Sequence, residues 1–121
     1  MGGGTGAAAY RGMEMKLTDL NPQFVRFGPD LVTENMHKSE IGETLAEAQG
    51  IRFECPNNNG QRPSRYALCL PFRGRGAPSD ENGGIQWDVS GTGMHDLTLS
   101  PSVNSVGVWH GWIRNGEVTN A

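Results

Sequence analysis

The chain has 121 residues, a length that suits one domain with one modest core, since about 60 to 70% of the unfolded surface can be buried at this size. Ten Lys and Arg residues against thirteen Asp and Glu give a formal charge of -3, which excludes the overall positive field typical of nucleic-acid-binding proteins. Hydrophobic residues make up 36%, with 18 Gly and 7 Pro, so short strands and turns are favoured over long helices.

Two further features of the sequence predict the cellular compartment of the protein and the redox state of its cysteines. No apolar run approaches the roughly 20 residues of a membrane span, and no signal-peptide pattern is present, so the sequence predicts no membrane contact and a cytoplasmic location. In such a compartment Cys55 and Cys69 are expected to be reduced thiols instead of a disulfide.

Residues 1–12 form a Gly/Ala-rich arm with few side chains able to join a core. We expect this arm to be flexible in isolation and to become ordered only against a partner, with Tyr10 as its one large contact residue. Residues 13–121 are expected to form a single β-rich domain.

The first half of that domain contains two strand patterns and one helix signal. Residues 24–27 suggest an edge strand, and residues 51–55 alternate like a half-buried strand. Between them, Thr44 and Glu47 have the spacing of a capping box, and Gly50 is a suitable terminator, so a short helix is predicted at about residues 45–49.

The second half alternates between apolar and polar residues in several short segments, at 65–72, 85–89, 97–99 and 106–113. The last segment is followed by Asn115-Gly116, a strong hairpin signal because both residues tolerate the positive φ of a type I′ turn. The predicted fold is therefore mainly β, a small antiparallel sandwich or open barrel of five to seven short strands with one short helix.

Three short patterns also carry a family resemblance: Cys55-Pro56-Asn57-Asn58, Ser100-Pro101-Ser102, and the run from Trp109 to Glu117 that reads Trp-His-Gly-Trp-Ile-Arg-Asn-Gly-Glu. Together they resemble a group of small bacteriophage proteins that often carry the label "ammonia monooxygenase". The label itself has no support in the residues, because three histidines without a facial-triad spacing do not make a copper or iron oxygenase.

The resemblance implies a degenerate zinc-binding module. Relatives have Cys-Pro-x-Cys where this chain has Asn58 at the second thiolate position, and a further Cys shortly before the position of His110. The ligands left to this chain are weak candidates that would have to converge from separate strands, namely Cys55, Cys69, His95 and His110. No bound metal or other cofactor is therefore expected.

The sequence also contains residue types that are used in nucleophilic catalysis. Three serines, Ser100, Ser102 and Ser105, lie near His95, Asp96 and His110 in the sequence. The chain lacks a strand-to-helix nucleophile elbow, and serines around a proline are ordinary loop formers, so the sequence predicts a protein that is not an enzyme.

The final strand offers a candidate contact surface for a partner. If the strand is regular, Trp109 and Trp112 lie on opposite faces, so that one fills the core and the other is exposed. An exposed Trp beside Arg114 would suit stacking on a partner, whereas core packing of both rings is the alternative. The predicted partner-binding residues are Tyr10, Trp109, Trp112 and Arg114.

The functional hypothesis from sequence is a non-catalytic virion structural or assembly component, a capsid or tail decoration acting by protein–protein binding. Its expected partners are other phage structural proteins or further copies of itself, in the virion or the host cytoplasm. The alternatives are a phage accessory protein that binds a host factor or small ligand, and the degenerate zinc-binding module.

Overall fold

The computed structural model describes residues 15–33, 36–42, 44–56, 67–105 and 108–121. Within these ranges the regular structure is almost entirely β, with three short 3₁₀ segments at Leu17–Leu20, Glu81–Gly84 and Met94–Asp96. The ten strands of the described residues are β1 Met15–Lys16, β2 Gln23–Thr33, β3 Met36–Ile41, β4 Gly50–Glu54, β5 Ala67–Pro71, β6 Asp88–Ser90, β7 Thr98–Ser100, β8 Val103–Ser105, β9 Trp109–Arg114 and β10 Glu117–Asn120. The predicted mainly β class is confirmed, with more strands than the five to seven expected.

Two four-stranded antiparallel sheets carry most of these strands. One has the order β1-β10-β9-β8 and the other β3-β2-β4-β5, while β6 and β7 form a separate pair. Buried side chains from both four-stranded sheets meet in one core, with Ile51 and Phe53 from β4, and Trp109 and Ile113 from β9. The core of the described residues therefore joins the two four-stranded sheets.

Strand β9 shows a strict alternation between the core and the outer face. Trp109, Gly111 and Ile113 are buried, and the residues between them are exposed or half-buried. A Cβ on Gly111 would lie 2.3 Å from Cζ2 of Trp109, so only glycine leaves room for the indole ring. Trp109 is 1% exposed and lies in the core, whereas Trp112 lies on the opposite face and is half-buried.

The helix predicted at residues 45–49 is a hydrogen-bonded turn. The capping contact exists, since Glu47 N donates to Thr44 Oγ1 at 3.3 Å, and Ala48 N donates to Leu45 O at 3.2 Å. The amide of Gln49, which would continue a helix, instead donates to Val25 O at 2.9 Å. Five residues are too few to recover the cost of helix nucleation, so pairing with β2 prevails.

The strand predicted at residues 24–27 is longer and more central than expected. It belongs to the eleven-residue β2, which pairs with β3 on one side and β4 on the other. It is therefore an interior strand, and β3 takes the edge of the sheet.

The hairpin predicted at Asn115-Gly116 is confirmed. Both residues have positive φ, 50° and 75°, and they join β9 to β10 in the register Arg114↔Glu117. The turn is also tied to the rest of the domain, because Gly116 N donates to Leu97 O at 2.8 Å and Gly116 O accepts from Leu17 N at 2.8 Å.

The loop before β7 is organised by the Asp96 carboxylate. It accepts hydrogen bonds from Thr92 N at 2.9 Å, from Thr92 Oγ1 at 2.8 Å and from Gly93 N at 2.9 Å. The bonds from the Thr92 backbone and side chain, followed by the Gly93 bond, lower the pKa of Asp96 to about 2. The ionised carboxylate is thus the form that the folded loop prefers.

Replacing Gly116 by Val should destabilise the domain by about 2 to 5 kcal/mol, because a side chain at positive φ is strained and must also enter occupied space. A Cβ at this position would lie 2.1 Å from His95 O. Thermal and urea unfolding measure the loss. Gly74→Val is the matched control, since Gly74 has the same φ of 75° and no neighbour within 4 Å of a Cβ. Equal losses in the two variants would contradict this packing of the turn.

Asp96→Asn should remove a pH-dependent part of the stability. Because the folded pKa of Asp96 is lowered from 3.8 to about 2, its contribution to stability is complete above about pH 5 and is lost as the pH falls through 3.8 towards 2. The difference in unfolding midpoint between wild type and Asp96→Asn should therefore shrink between pH 5 and pH 2. Glu40→Gln, which removes an exposed carboxylate, controls for net charge. A difference that stays constant with pH would count against the loop assignment.

Candidate active site

The antiparallel pairing of β8 with β9 brings a serine and a histidine together. The register pairs Val103 with Gly111 and Asn104 with His110. Ser102 immediately precedes β8, and its Oγ lies 3.2 Å from Nε2 of His110. Two residues that are eight positions apart in the sequence thus form a hydroxyl–imidazole pair on the outer face of the sheet.

The main chain of both residues is anchored, and their side chains remain accessible. Trp87 Nε1 donates to Ser102 O at 3.3 Å, and Ala121 N donates to His110 O at 2.9 Å. The Ser102 side of the pair is half-buried and His110 is exposed. A rigid backbone with an accessible hydroxyl is the arrangement that a nucleophile needs.

The chemistry available to this pair is proton transfer from the serine hydroxyl to the imidazole. Nε2 is the ring nitrogen that removes the proton of the nucleophile in serine hydrolases, and 3.2 Å is at the outer limit of a direct hydrogen bond. The pair can therefore activate Ser102 towards a carbonyl carbon.

Three other side chains share the outer face with this pair. Asn104 is exposed and lies opposite His110 in the ladder. Trp112 and Arg114 follow His110 at alternate positions of β9, and the Arg114 guanidinium carbon lies 3.9 Å from the centroid of the Trp112 ring. The pair thus lies beside a polar amide on one side and a stacked cation on the other.

The predicted partner-binding residues differ in their exposure and position. Trp109 is buried, and its Nε1 donates to Asn120 Oδ1 at 2.8 Å, so its ring is unavailable at the surface and its assignment as a contact residue is wrong. Trp112 and Arg114 lie on the outer face, where a partner could reach them. Tyr10 lies outside the described residues.

The four weak metal candidates do not converge. Cys55 is buried and its thiol donates to Pro56 O at 3.1 Å, Cys69 lies opposite Arg52 in the β4–β5 ladder, and His95 is in an exposed 3₁₀ segment. In the part of the chain that the structure describes, no three His, Cys, Asp or Glu side chains form a group that could hold a metal ion. The convergence that a zinc site would need is not found among these residues.

Cys69 is an unsuitable nucleophile. Burial raises the pKa of its thiol to about 11, against the opposing effect of the nearby Arg52 cation. The thiol is therefore protonated at neutral pH, whereas the thiolate is the reactive form.

A second histidine cluster lies on the other sheet and has a different character. His37 Nδ1 is 3.0 Å from Glu81 Oε1, which also accepts from His37 N at 2.6 Å, and His37 Nε2 is 3.4 Å from Asp80 Oδ1. The side chains of His37 and Glu81 are 9% and 1% exposed. This buried pair holds the edge strand β3 against the Glu81–Gly84 segment, and neither ring nitrogen is directed at a serine or cysteine among the described residues.

Ser102 and His110 are both among the residues named from sequence, but the absence of a strand-to-helix elbow argued against catalysis there. The pair is instead formed by the register between β8 and β9. The signal that could have identified it is the position of Ser102 and His110 on the same side of two short segments that a tight connection makes antiparallel.

Comparison with known proteins matches the chain to a described protein family. A family model described as "Bacterial ubiquitination-like system serine protease (BubE)" matches residues 29–121, which is more than three quarters of the chain. The chain belongs to this family. No curated protein and no solved structure matches it.

This family membership corrects the functional predictions made from sequence. The resemblance to bacteriophage proteins with an "ammonia monooxygenase" label is wrong as an identification, because the matching family is that of a bacterial ubiquitination-like system. The hypothesis of a non-catalytic virion component is wrong for the same reason, since the family is described as a serine protease. Phage structural partners and a virion location lose their support with it.

No helix in the described ranges is long and apolar enough to cross a membrane.

Proposed function

We propose that this chain is a serine hydrolase that cleaves an acyl bond in a protein substrate, with Ser102 as the nucleophile and His110 as the general base. The observation that carries the proposal is the 3.2 Å contact between Ser102 Oγ and His110 Nε2 on an accessible face. The family description supports the same reaction class, and both residues lie within the matched segment.

In the acylation step, Ser102 Oγ attacks the carbonyl carbon of the scissile bond while its proton passes to His110 Nε2. The carbonyl oxygen of the resulting tetrahedral intermediate carries the negative charge. When the intermediate collapses, the bond to the leaving group breaks, and that group takes the proton from His110. The products are a free leaving group and an ester on Ser102.

In the deacylation step, water replaces the leaving group. His110 Nε2 accepts a proton from the water molecule, whose oxygen attacks the ester carbon. Collapse of this second intermediate returns the proton to Ser102 Oγ and releases a carboxylic acid. The enzyme is then restored, and one water molecule has been consumed for one bond cleaved.

The developing oxyanion needs a hydrogen-bond donor beside Ser102, and we assign this role to the side-chain amide of Asn104. It projects from the same face, lies opposite His110 and is separated from Ser102 by one inward residue, Val103. A side-chain amide can donate to an oxyanion without itself changing charge.

The substrate that we propose is a protein of a bacterial ubiquitination-like system, because that is the setting named in the family description. The partners that we propose are therefore proteins inside the bacterial cell, and not the phage components expected from sequence. An extended substrate segment suits the outer face of the sheet, where Ser102 is half-buried and His110 is exposed.

A fluorophosphonate reagent tests the proposed pair without a known substrate, because serine attack on phosphorus displaces fluoride and leaves a stable adduct. Wild type should be labelled at Ser102, Ser102→Ala should not be labelled, and His110→Gln should react at least about 10³-fold more slowly. Intact-mass and peptide mass spectrometry measure the adduct. Ser100→Ala and His95→Ala are matched controls and should label normally. Labelling that persists in Ser102→Ala, or a wild type that does not react, would refute the pair.

Asn104→Ala should lower the rate of Ser102 phosphonylation by about 10²- to 10³-fold, the usual effect of removing one oxyanion donor. Asn104→Asp should be at least as slow, because a carboxylate would repel the developing charge. The second-order labelling rate measures both, with thermal unfolding as the check on folding. Rates within twofold of wild type would remove Asn104 from the mechanism.

A further inference from the structure

We infer that Trp112 and Arg114 form a subsite that binds a carboxylate of the substrate next to the scissile bond. The inference rests on the proposed function, because it takes Ser102 as the reacting centre. It adds a recognition element and a ligand chemistry to the hydroxyl–imidazole pair.

The first argument is position. His110, Trp112 and Arg114 alternate with buried residues on β9, so all three side chains project from the outer face. Residues two apart on a strand are about 7 Å from each other. Continuing the β8–β9 register by one residue places Ser102 across from Trp112. A peptide held at Ser102 would therefore extend over the Trp112 ring, with Arg114 one side-chain spacing further.

The second argument is the state of the Arg114 guanidinium. It lies 3.9 Å from the Trp112 ring centroid and makes no ion pair or hydrogen bond within the described part of the chain. Stacking uses the flat face of the guanidinium and leaves its in-plane N–H groups directed outward. Those donors match a carboxylate in a bidentate geometry, which a lysine ammonium would not provide.

The third argument is charge. The protein has a formal charge of -3, so a carboxylate is not attracted to it in general. Arg114 and Lys16 both lie opposite Glu117 in the β1-β10-β9 ladder, one on each side, so two cations flank the Glu117 carboxylate, while the Asp19 carboxylate lies beside Lys16 and away from Arg114 in the ladder. An acidic group is therefore favoured here and disfavoured over much of the remaining surface.

The ligand chemistry is a carboxylate, and it has two possible sources in a protein substrate. One is the side chain of a Glu or Asp residue close to the scissile bond. The other is the carboxylate at the C-terminus of the chain being cleaved. The experiment separates the two with peptides that differ in one of these groups at a time.

The subsite can be tested with pools of internally quenched octapeptides. In each pool Glu, Gln or Lys is fixed at one position, and each pool is made with a free and with an amidated C-terminus. If the carboxylate is a side chain, wild type should cleave the Glu pool at least about tenfold faster than the Gln pool at one fixed position. If it is the C-terminus, wild type should cleave the free-acid pool at least about tenfold faster than the amidated pool. Arg114→Gln should reduce that ratio to about one, and Arg114→Glu should prefer the Lys pool. Arg26→Gln, which removes an exposed cation from the other four-stranded sheet, should keep the wild-type ratio.

The outcomes distinguish this inference from the proposed function. Cleavage that needs Ser102 but shows no carboxylate preference at any position would overturn the subsite and leave the hydrolase standing. Cleavage that survives Ser102→Ala would overturn the proposed function.

A binding measurement makes the subsite testable without turnover. Binding to the full Ser102→Ala chain can be measured by fluorescence anisotropy of peptides that carry an uncharged dye. Three pools are compared: the amidated Glu pool, the amidated Gln pool and the free-acid Gln pool. A carboxylate-bearing pool should bind at least about fivefold more tightly than the amidated Gln pool. Introducing Arg114→Gln into the Ser102→Ala chain should remove this difference in binding affinity. Equal binding of all three pools would refute the subsite.

Discussion

The antiparallel pairing of β8 with β9 fixes both the core and the candidate active site. Its register places Val103 opposite Gly111 on the inner side and Asn104 opposite His110 on the outer side. A slip of one residue would turn Trp109 out of the core and the His110 imidazole into it, so the burial of Trp109 determines where the imidazole lies. Ser102 reaches Nε2 only in this register, and the proposed chemistry therefore depends on how tightly an indole packs against a glycine.

The two histidine clusters show how burial separates a structural role from a chemical one. His37 and Glu81 are almost completely enclosed and satisfy each other, so their contribution is to fix an edge strand. His110 contacts a hydroxyl on an exposed face, where a substrate can approach and a proton can be passed on. The cluster with the greater number of carboxylates is thus the less suitable for catalysis.

The sequence predicted the features that depend on local chemistry. Alternation along β9 and the Asn115-Gly116 turn could be predicted because side-chain direction and positive φ are properties of a few adjacent residues. The interior position of β2 and the loss of the helix at 45–49 could not, since both are decided by pairing with strands elsewhere in the chain. The Ser102–His110 contact belongs to this second group, as it depends on a register between strands.

The segment from Trp109 to Glu117 carries the resemblance to bacteriophage proteins, and the packing of its residues explains why that resemblance is a poor guide to function. Trp109, Gly111 and Ile113 are required by the core, and Asn115-Gly116 is required by the turn. Folding alone accounts for these residues in any protein with this hairpin, so they are compatible with a structural role. His110, Trp112 and Arg114 project from the outer face, where the core makes no demand on them. They are the residues of the segment that a substrate, and not the fold, can explain.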